Sequence, residues 1–326
     1  PDITSARMAY DYLNALKLML QYLEVSDCNM QEGSLRAEPN VNLCIHTDSG
    51  DVYTPITEIK NVNSFRAVEK AIDEVAAYQL KQWKTTGVTK AAGTKSTFGW
   101  DDHREMLVPQ RQKEEAEEYR YFPEPDLNPV TLDETTRQQV TRALPELPTP
   151  RYERFIEQYQ LSDEHAVKLV ADRGVADYFE EVARLSGEVR QSANYVINEV
   201  SRELNERGIG VGEFPIEPDR LAALMTLLAA DKLSSKQGRT VFAEMLDSGK
   251  TAEAVVKEKG LEQVSDAGAI EPIVDKVIAE NPGWVDDHKK GKSSANAIMG
   301  QVMRATRGKA NPKQAMEIIL KKLDEA

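Results

Sequence analysis

GSLRAEPNVNLCIHTDSGDVYTPITEIK, residues 33–60, decides how the front of the chain is read. Leu35, Ala37, Val41, Leu43 and Ile45 share one parity, and Ser34, Arg36, Glu38, Asn40 and Asn42 share the other. A period of two puts these sets on opposite faces of a strand, one apolar and one polar. Asp48-Ser49-Gly50-Asp51 supplies a turn, and Val52 to Lys60 reads as a second strand with Glu58 and Lys60 on one face. Two such runs joined by a short polar turn predict an antiparallel hairpin.

Outward from the hairpin the period changes. Leu13, Leu16, Leu20 and Leu23 recur at helical spacing behind Ser5, which predicts a capped helix over residues 2–23. Val68, Ile72, Val75 and Leu80 predict another from about Ser64 to Lys84. Gly87 to Thr97 reads as a loop or strand edge, Arg104 to Val108 as extended chain, and Tyr121-Phe122-Pro123-Glu124-Pro125-Asp126 as an exit from the first domain. Beyond Leu147-Pro148-Thr149-Pro150 the pattern is helical throughout. Gly208 to Pro218, with three glycines and two prolines, reads as a flexible joint within that half. The fold class is therefore α+β, with a sheet-containing front and an all-α back.

The 326 residues suffice for two or three cores. No stretch approaches the ~20 apolar residues of a membrane span, and no membrane association is expected. Cys28 and Cys44 suit a reducing compartment. Together with His46, His103, His165 and His288 they show no zinc-type ligand spacing. The net charge of −13 speaks against nucleic acid, yet its distribution does not. Between Lys289 and Lys322 nine Lys and Arg residues face a single acid, Glu317.

The polar face of the hairpin is the main place for chemistry. Arg36, Glu38, Asn40 and Asn42 are expected to project on one side there, where Glu58, Lys60, Asn61 and Asn63 of the second strand could approach them. Carboxylates suit Mg²⁺ and Arg or Lys suit phosphoryl oxygens. Spacing alone leaves this reading beside a plainer one, a solvated face laced with cross-strand ion pairs. Arg120, among Tyr119, Tyr121 and Phe122, either clamps an anion or pairs with a local acid. No G-x-x-x-x-G-K-[ST] or G-x-G-x-x-G loop is present. In the tail, Arg304 to Lys313 reads as a helix end, a Gly308 cap and a new helix at Pro312, a joint that presents either basic groups to phosphates or merely a solvated turn.

These segments resemble the B subunit of the aspartyl/glutamyl-tRNA amidotransferases. The resemblance rests on Met30-Gln31-Glu32-Gly33-Ser34-Leu35-Arg36, on Glu58-Ile59-Lys60-Asn61-Val62-Asn63-Ser64-Phe65, and on Arg111 to Ala116 leading into Tyr119 to Leu127. Gly300-Gln301-Val302-Met303 and Gly308-Lys309-Ala310-Asn311-Pro312 resemble the YqeY-type module that ends such subunits. Ala37-Glu38-Pro39-Asn40 departs from the family's Cys-Asp-Ala-Asn, and Tyr195 stands where Trp is frequent.

The resemblance implies a partial, glutamine synthetase-like cradle with an antiparallel sheet (residues 1–147), a helical domain (148–258) and a tRNA-contacting tail (259–326). It implies an ATP- and Mg²⁺-dependent ligase that phosphorylates the carboxylate of Glu or Asp misacylated onto tRNA. Ammonia from the amidase, or A, subunit then displaces the phosphate, with the small C subunit completing the complex. Glu32, Arg36, Glu38, Glu58, Lys60 and Arg120 are the expected catalytic residues. Glu38 is the expected metal ligand, and Asn40, Asn61 and Asn63 are expected to hold the nucleotide. Lys292, Arg304, Arg307, Lys309 and Lys313 are the expected tRNA contacts. A bacterial cytoplasm or an organelle matrix is the expected location. Because the chain opens at Pro1 within a helical pattern, it reads as N-terminally truncated; the resemblance implies that metal-binding His and Glu residues are lost with the missing part, so the chain is expected to be inactive by itself, and the alternative is a non-catalytic tRNA-binding or assembly module.

Overall fold

Ser5 opens the first helix as its sequence position demands: extended itself, it accepts a hydrogen bond from the Met8 amide at 3.1 Å. Helix α1 (Ala6–Tyr22) follows, and α2 (Phe65–Thr86) is capped in the same way by Ser64 and closed by left-handed Gly87 at φ 67°. The computed structural model describes residues 2–91, 95–110, 125–261, 267–289, 294–306 and 310–325. The chain divides into two units, Pro1–Arg151 and Tyr152–Ala326.

In the first unit the hairpin is present but starts later than its alternation predicts. The strands are β1 (Asn40–Val41), β2 (Cys44–Thr47), β3 (Gly50–Tyr53) and β4 (Thr57–Lys60). Residues 33–39 lie outside any strand, so Arg36 and Glu38 sit on the approach to β1 rather than within it. Pro39 has no amide to donate, although its carbonyl accepts from Ile59 N at 2.9 Å. β2 pairs β3, and β1 pairs β4 in the register Asn40↔Glu58.

The ladder is interrupted between these pairs because a buried glutamine enters it. Gln79 of α2 is 4% exposed and donates from Nε2 to the carbonyls of Val41 (2.9 Å) and Pro55 (3.0 Å) and to Thr57 Oγ1 (2.8 Å). Its Oε1 accepts from Thr54 Oγ1 at 2.7 Å. These bonds replace what the ladder loses at the break, as buried backbone groups require.

The expected purely antiparallel sheet is corrected by two further strands, β5 (Ser96–Asp101) and β6 (Met106–Pro109). The order is β1-β4-β5-β6, with β5 parallel to β4 and antiparallel to β6. The sheet is mixed, because α2 returns the chain as a crossover. Its core joins Ile59, Val62 and Trp100 to Leu13 of α1 and Val68, Ala71 and Val75 of α2. α3 (Glu134–Ala143), which no apolar period announces, has no buried residue.

The unit boundary falls within α4 (Pro148–Glu157). α5 (Asp163–Val170), α6 (Arg173–Ser186), α7 (Val189–Tyr195), α8 (Ser201–Arg207), α9 (Pro218–Ala229), α10 (Ser235–Ser248) and α11 (Ala252–Lys259) share one apolar core around Phe155, Phe179, Leu224 and Phe242. A π turn, Val196–Val200, joins α7 to α8. The expected flexible joint at 208–218 is instead packed down. Phe214 and Ile216 are buried, and the Tyr178 hydroxyl donates to the Ile216 carbonyl at 2.8 Å. α12 (Ala267–Glu280), α13 (Pro282–Lys289), α14 (Ala295–Ala305) and α15 (Pro312–Glu325) form a separate core around Ile270, Val274, Ile298, Val302 and Ile319.

Candidate functional site

β4 sorts its side chains by parity. Thr57 and Ile59 are buried, while Glu58 and Lys60 emerge together on the other face. Lys60 Nζ lies 3.0 Å from Glu58 Oε1 and 3.4 Å from Glu38 Oε2, so both carboxylates meet one ammonium on one face. Arg36 pairs with Glu38 Oε1. Lys95 Nζ reaches Glu58 Oε2 at 2.9 Å. All four carboxylate oxygens therefore face a cation, and three cations stand against two carboxylates. The Lys95 and Lys60 ammoniums hold the Glu58 carboxyl below its ordinary range, and Glu58 in turn raises Lys60.

Lys95 is absent from the sequence-based set. The parallel register Thr57↔Ser96 places it beside Glu58, and such long-range pairing leaves no local signal. Asn40 lies opposite Glu58 in register. Asn61, just beyond β4, takes a left-handed φ of 60°, which asparagine tolerates. Asn63 belongs to a neighbouring polar cavity of about 520 Å³ with Lys17, Asp27, Asn29, Gln31 and Arg66. Glu32 is exposed on the loop before β1. Arg120 lies outside the described residues.

In the tail, Arg304 is exposed in the last turn of α14, and Lys313 is exposed at the start of α15. Asn311, buried, caps α15 by accepting from the amides of Lys313 (2.9 Å) and Gln314 (3.3 Å). Lys292, Arg307 and Lys309 lie outside the described residues. Part of the basic run is neutralised across the fold. Glu271 (2.7 Å) and Asp275 (3.0 Å) of α12 hold Lys322, whose ammonium is pushed up to about 12.

Residues 1–138 match the family described as GatB/GatE catalytic domain, and residues 177–323 match the one described as GatB domain. Relatives named as the B subunit of aspartyl/glutamyl-tRNA(Asn/Gln) amidotransferase align over nearly all of the chain. That of Carboxydothermus hydrogenoformans is 43% identical over 324 residues, covering 99% of this chain and 66% of the relative. That of Caldicellulosiruptor bescii is 39% identical over 329 residues, covering 100% and 67%. The chain belongs to the amidotransferase B-subunit family. A further family member, from Treponema denticola, is 40% identical over 327 residues. The chain spans about two thirds of the length of these B-subunit relatives. Among the described residues no helix is long and apolar enough to cross a membrane.

Proposed function

We propose that the chain carries part of the activation site of a tRNA-dependent amidotransferase, on the face shared by Arg36, Glu38, Glu58, Lys60 and Lys95. The observation that supports this most is the surplus of cations over carboxylates around Lys60. Such a group favours an anion, and ATP is the anion that ATP-dependent activation of a carboxylate requires. The side-chain carboxylate of Glu or Asp on tRNA attacks the γ-phosphorus, giving an acyl phosphate and ADP. Ammonia then attacks the acyl carbon, phosphate leaves with the C–O electrons, and the amide remains after loss of a proton. Arg36, Lys60 and Lys95 neutralise charge on the transferring oxygens, while Glu38 and Glu58 hold these three cations in place. Asn40, Asn61 and Asn63 are assigned to nucleotide contacts, and Glu32 and Arg120, the latter outside the described residues, to the catalytic set.

Mg²⁺ does not fit this arrangement at Glu38. Both of its carboxylate oxygens are engaged, by Arg36 and Lys60, and these positive groups would repel a cation there. The amidase (A) subunit as ammonia source, the small C subunit and a misacylated tRNA are the proposed partners. The layout 1–147, 148–258 and 259–326 is the proposed division, supported by the separate cores of the helical region and the tail. The deciding experiment is ATP-dependent transamidation by the full-length subunit with its partners, comparing Glu38→Ala with wild type. A Glu38→Ala rate equal to wild type sinks the proposal.

A second reading, a tRNA-binding or assembly module, draws on exposed Arg304 and Lys313. Filter binding of tRNA tests it, since phosphate contacts weaken steeply with salt.

A further inference from the structure

The β2–β3 hairpin brings together three side chains that sequence spacing kept apart. Cys44 and His46, two residues apart on β2, share a face, and the register His46↔Asp51 places Asp51 directly across from the histidine. The ligand atoms of Cys44, His46 and Asp51 all lie within 4.8 Å of one another. No other His, Cys, Asp or Glu group among the described residues does this. His46 Nδ1 is already 2.6 Å from Asp51 Oδ1. Tyr53, opposite Cys44 in register, brings its phenol to the Cys44 sulfur. Among the described residues Asp51 has no Lys or Arg partner, unlike Glu38 and Glu58. The turn between the strands is held by Thr47, whose hydroxyl donates to the Gly50 carbonyl at 2.6 Å. The frame that carries the three groups is thus fixed before any ligand arrives.

We propose that this hairpin is a binding site for a divalent cation of the zinc class, held by Cys44 Sγ, an imidazole nitrogen of His46 and a carboxylate oxygen of Asp51. A thiolate selects a borderline-soft ion over Mg²⁺ or Ca²⁺, and imidazole suits the same ions. Three protein ligands leave the fourth tetrahedral position to water. Bond lengths of about 2.0–2.3 Å place tetrahedral donors roughly 3.3–3.8 Å apart, so the widest pair closes in by up to about 1 Å while His46 Nδ1 and Asp51 Oδ1, now 2.6 Å apart, open by about 0.7 Å and exchange their hydrogen bond for two metal bonds, a rotamer adjustment on an exposed strand pair. Binding releases one proton, from the Cys44 thiol, and takes His46 in its neutral form. The site is independent of the proposed ligase activity.

The test is titration of the full chain with CoCl₂, followed by ZnCl₂, under reducing conditions. The expected result is one Co²⁺ per chain with a near-ultraviolet thiolate-to-cobalt band that Zn²⁺ removes. C44S should abolish that band, and H46A should raise the Kd at least ~10-fold. Both residues are exposed, so the variants should fold as wild type does, which circular dichroism checks. C28S, at a buried thiol, should leave the band intact. Absence of a thiolate band in the wild-type chain overturns the proposal, and so does a band that survives C44S.

Discussion

Two ion-paired groups in this molecule use the same residue types to opposite ends. In the helical unit Arg154 meets Glu180 through two bonds, at 2.6 and 3.0 Å, and the Tyr159 hydroxyl donates to Glu180 at 2.9 Å. That carboxylate is matched by one guanidinium and one phenol, and the whole sits beside the rings of Phe155 and Phe179. On the sheet, Glu38 and Glu58 share Lys60, and Arg36 and Lys95 add charge from the rim. Lys95 and Arg36 are 53% and 75% exposed, while Arg154 and Glu180 are 24% and 22%. A partly buried group of this kind ties α4 to α6. An open one with surplus charge on one face is the kind that meets a ligand.

The comparison breaks most visibly in activity. Lys60→Met in the full-length subunit should lower ATP-dependent transamidation about 100-fold or more, the scale on which a charge-stabilising group acts. Arg154→Met should leave the rate within about twofold. Equal losses from the two would show that the distinction between the groups is false. Stability should respond in the reverse order. Arg154→Met takes the guanidinium from Glu180, which keeps the Tyr159 hydroxyl, and should cost about 1–3 kcal/mol in urea denaturation, whereas Lys60→Met on its more open face should cost under about 1 kcal/mol. Gln79→Leu tests what holds the sheet site in place. It leaves the Val41 and Pro55 carbonyls without their donor and should cost about 2–3 kcal/mol.

A titration sharpens the contrast. Glu58 has a lowered carboxyl in the folded chain, so its stabilising contribution is full above the ordinary glutamate value and is lost as pH falls through the folded value. Carbon-detected NMR should find Glu58 titrating below the ordinary range, and Lys95→Met should move it upward. An unchanged Glu58 would remove Lys95 from the group. The smallest effect belongs to the tail. Arg304→Ala and Lys313→Ala should each reduce the slope of log K against log salt for tRNA binding by about 1.

Much of this was legible locally. Ser5 as a cap, the helix that begins at about Ser64 and the shared face of Glu58 and Lys60 follow from period and capping chemistry alone. What escaped was non-local or compensated. Alternation across residues 33–39 runs through a segment that joins no strand, ending at Pro39, which has no amide to donate to a ladder. The glycines of 208–218 suggested slack, while Phe214 and Ile216 anchor the segment. Lys95 entered the site through a parallel pairing, and Asp51 reached His46 through an antiparallel one. Neither juxtaposition leaves a periodic trace.

The parallel pairing of β4 with β5 also sets an order of assembly. Thr57 and Ser96, whose hydroxyls lie 3.0 Å apart, are separated by 39 residues of chain that include all of α2. β1 and β4 can meet as soon as their short connection closes, but Lys95 arrives only when the crossover has wound and docked. A chain in which β1 and β4 have paired but β5 has not docked would hold Glu38, Glu58 and Lys60 together with Glu58 still one cation short of its final complement. The last positive charge reaches the face only with the strand that completes the sheet. A folding intermediate lacking β5 would carry balanced rather than surplus charge around Glu58, and its affinity for anions would rise in step with the final docking.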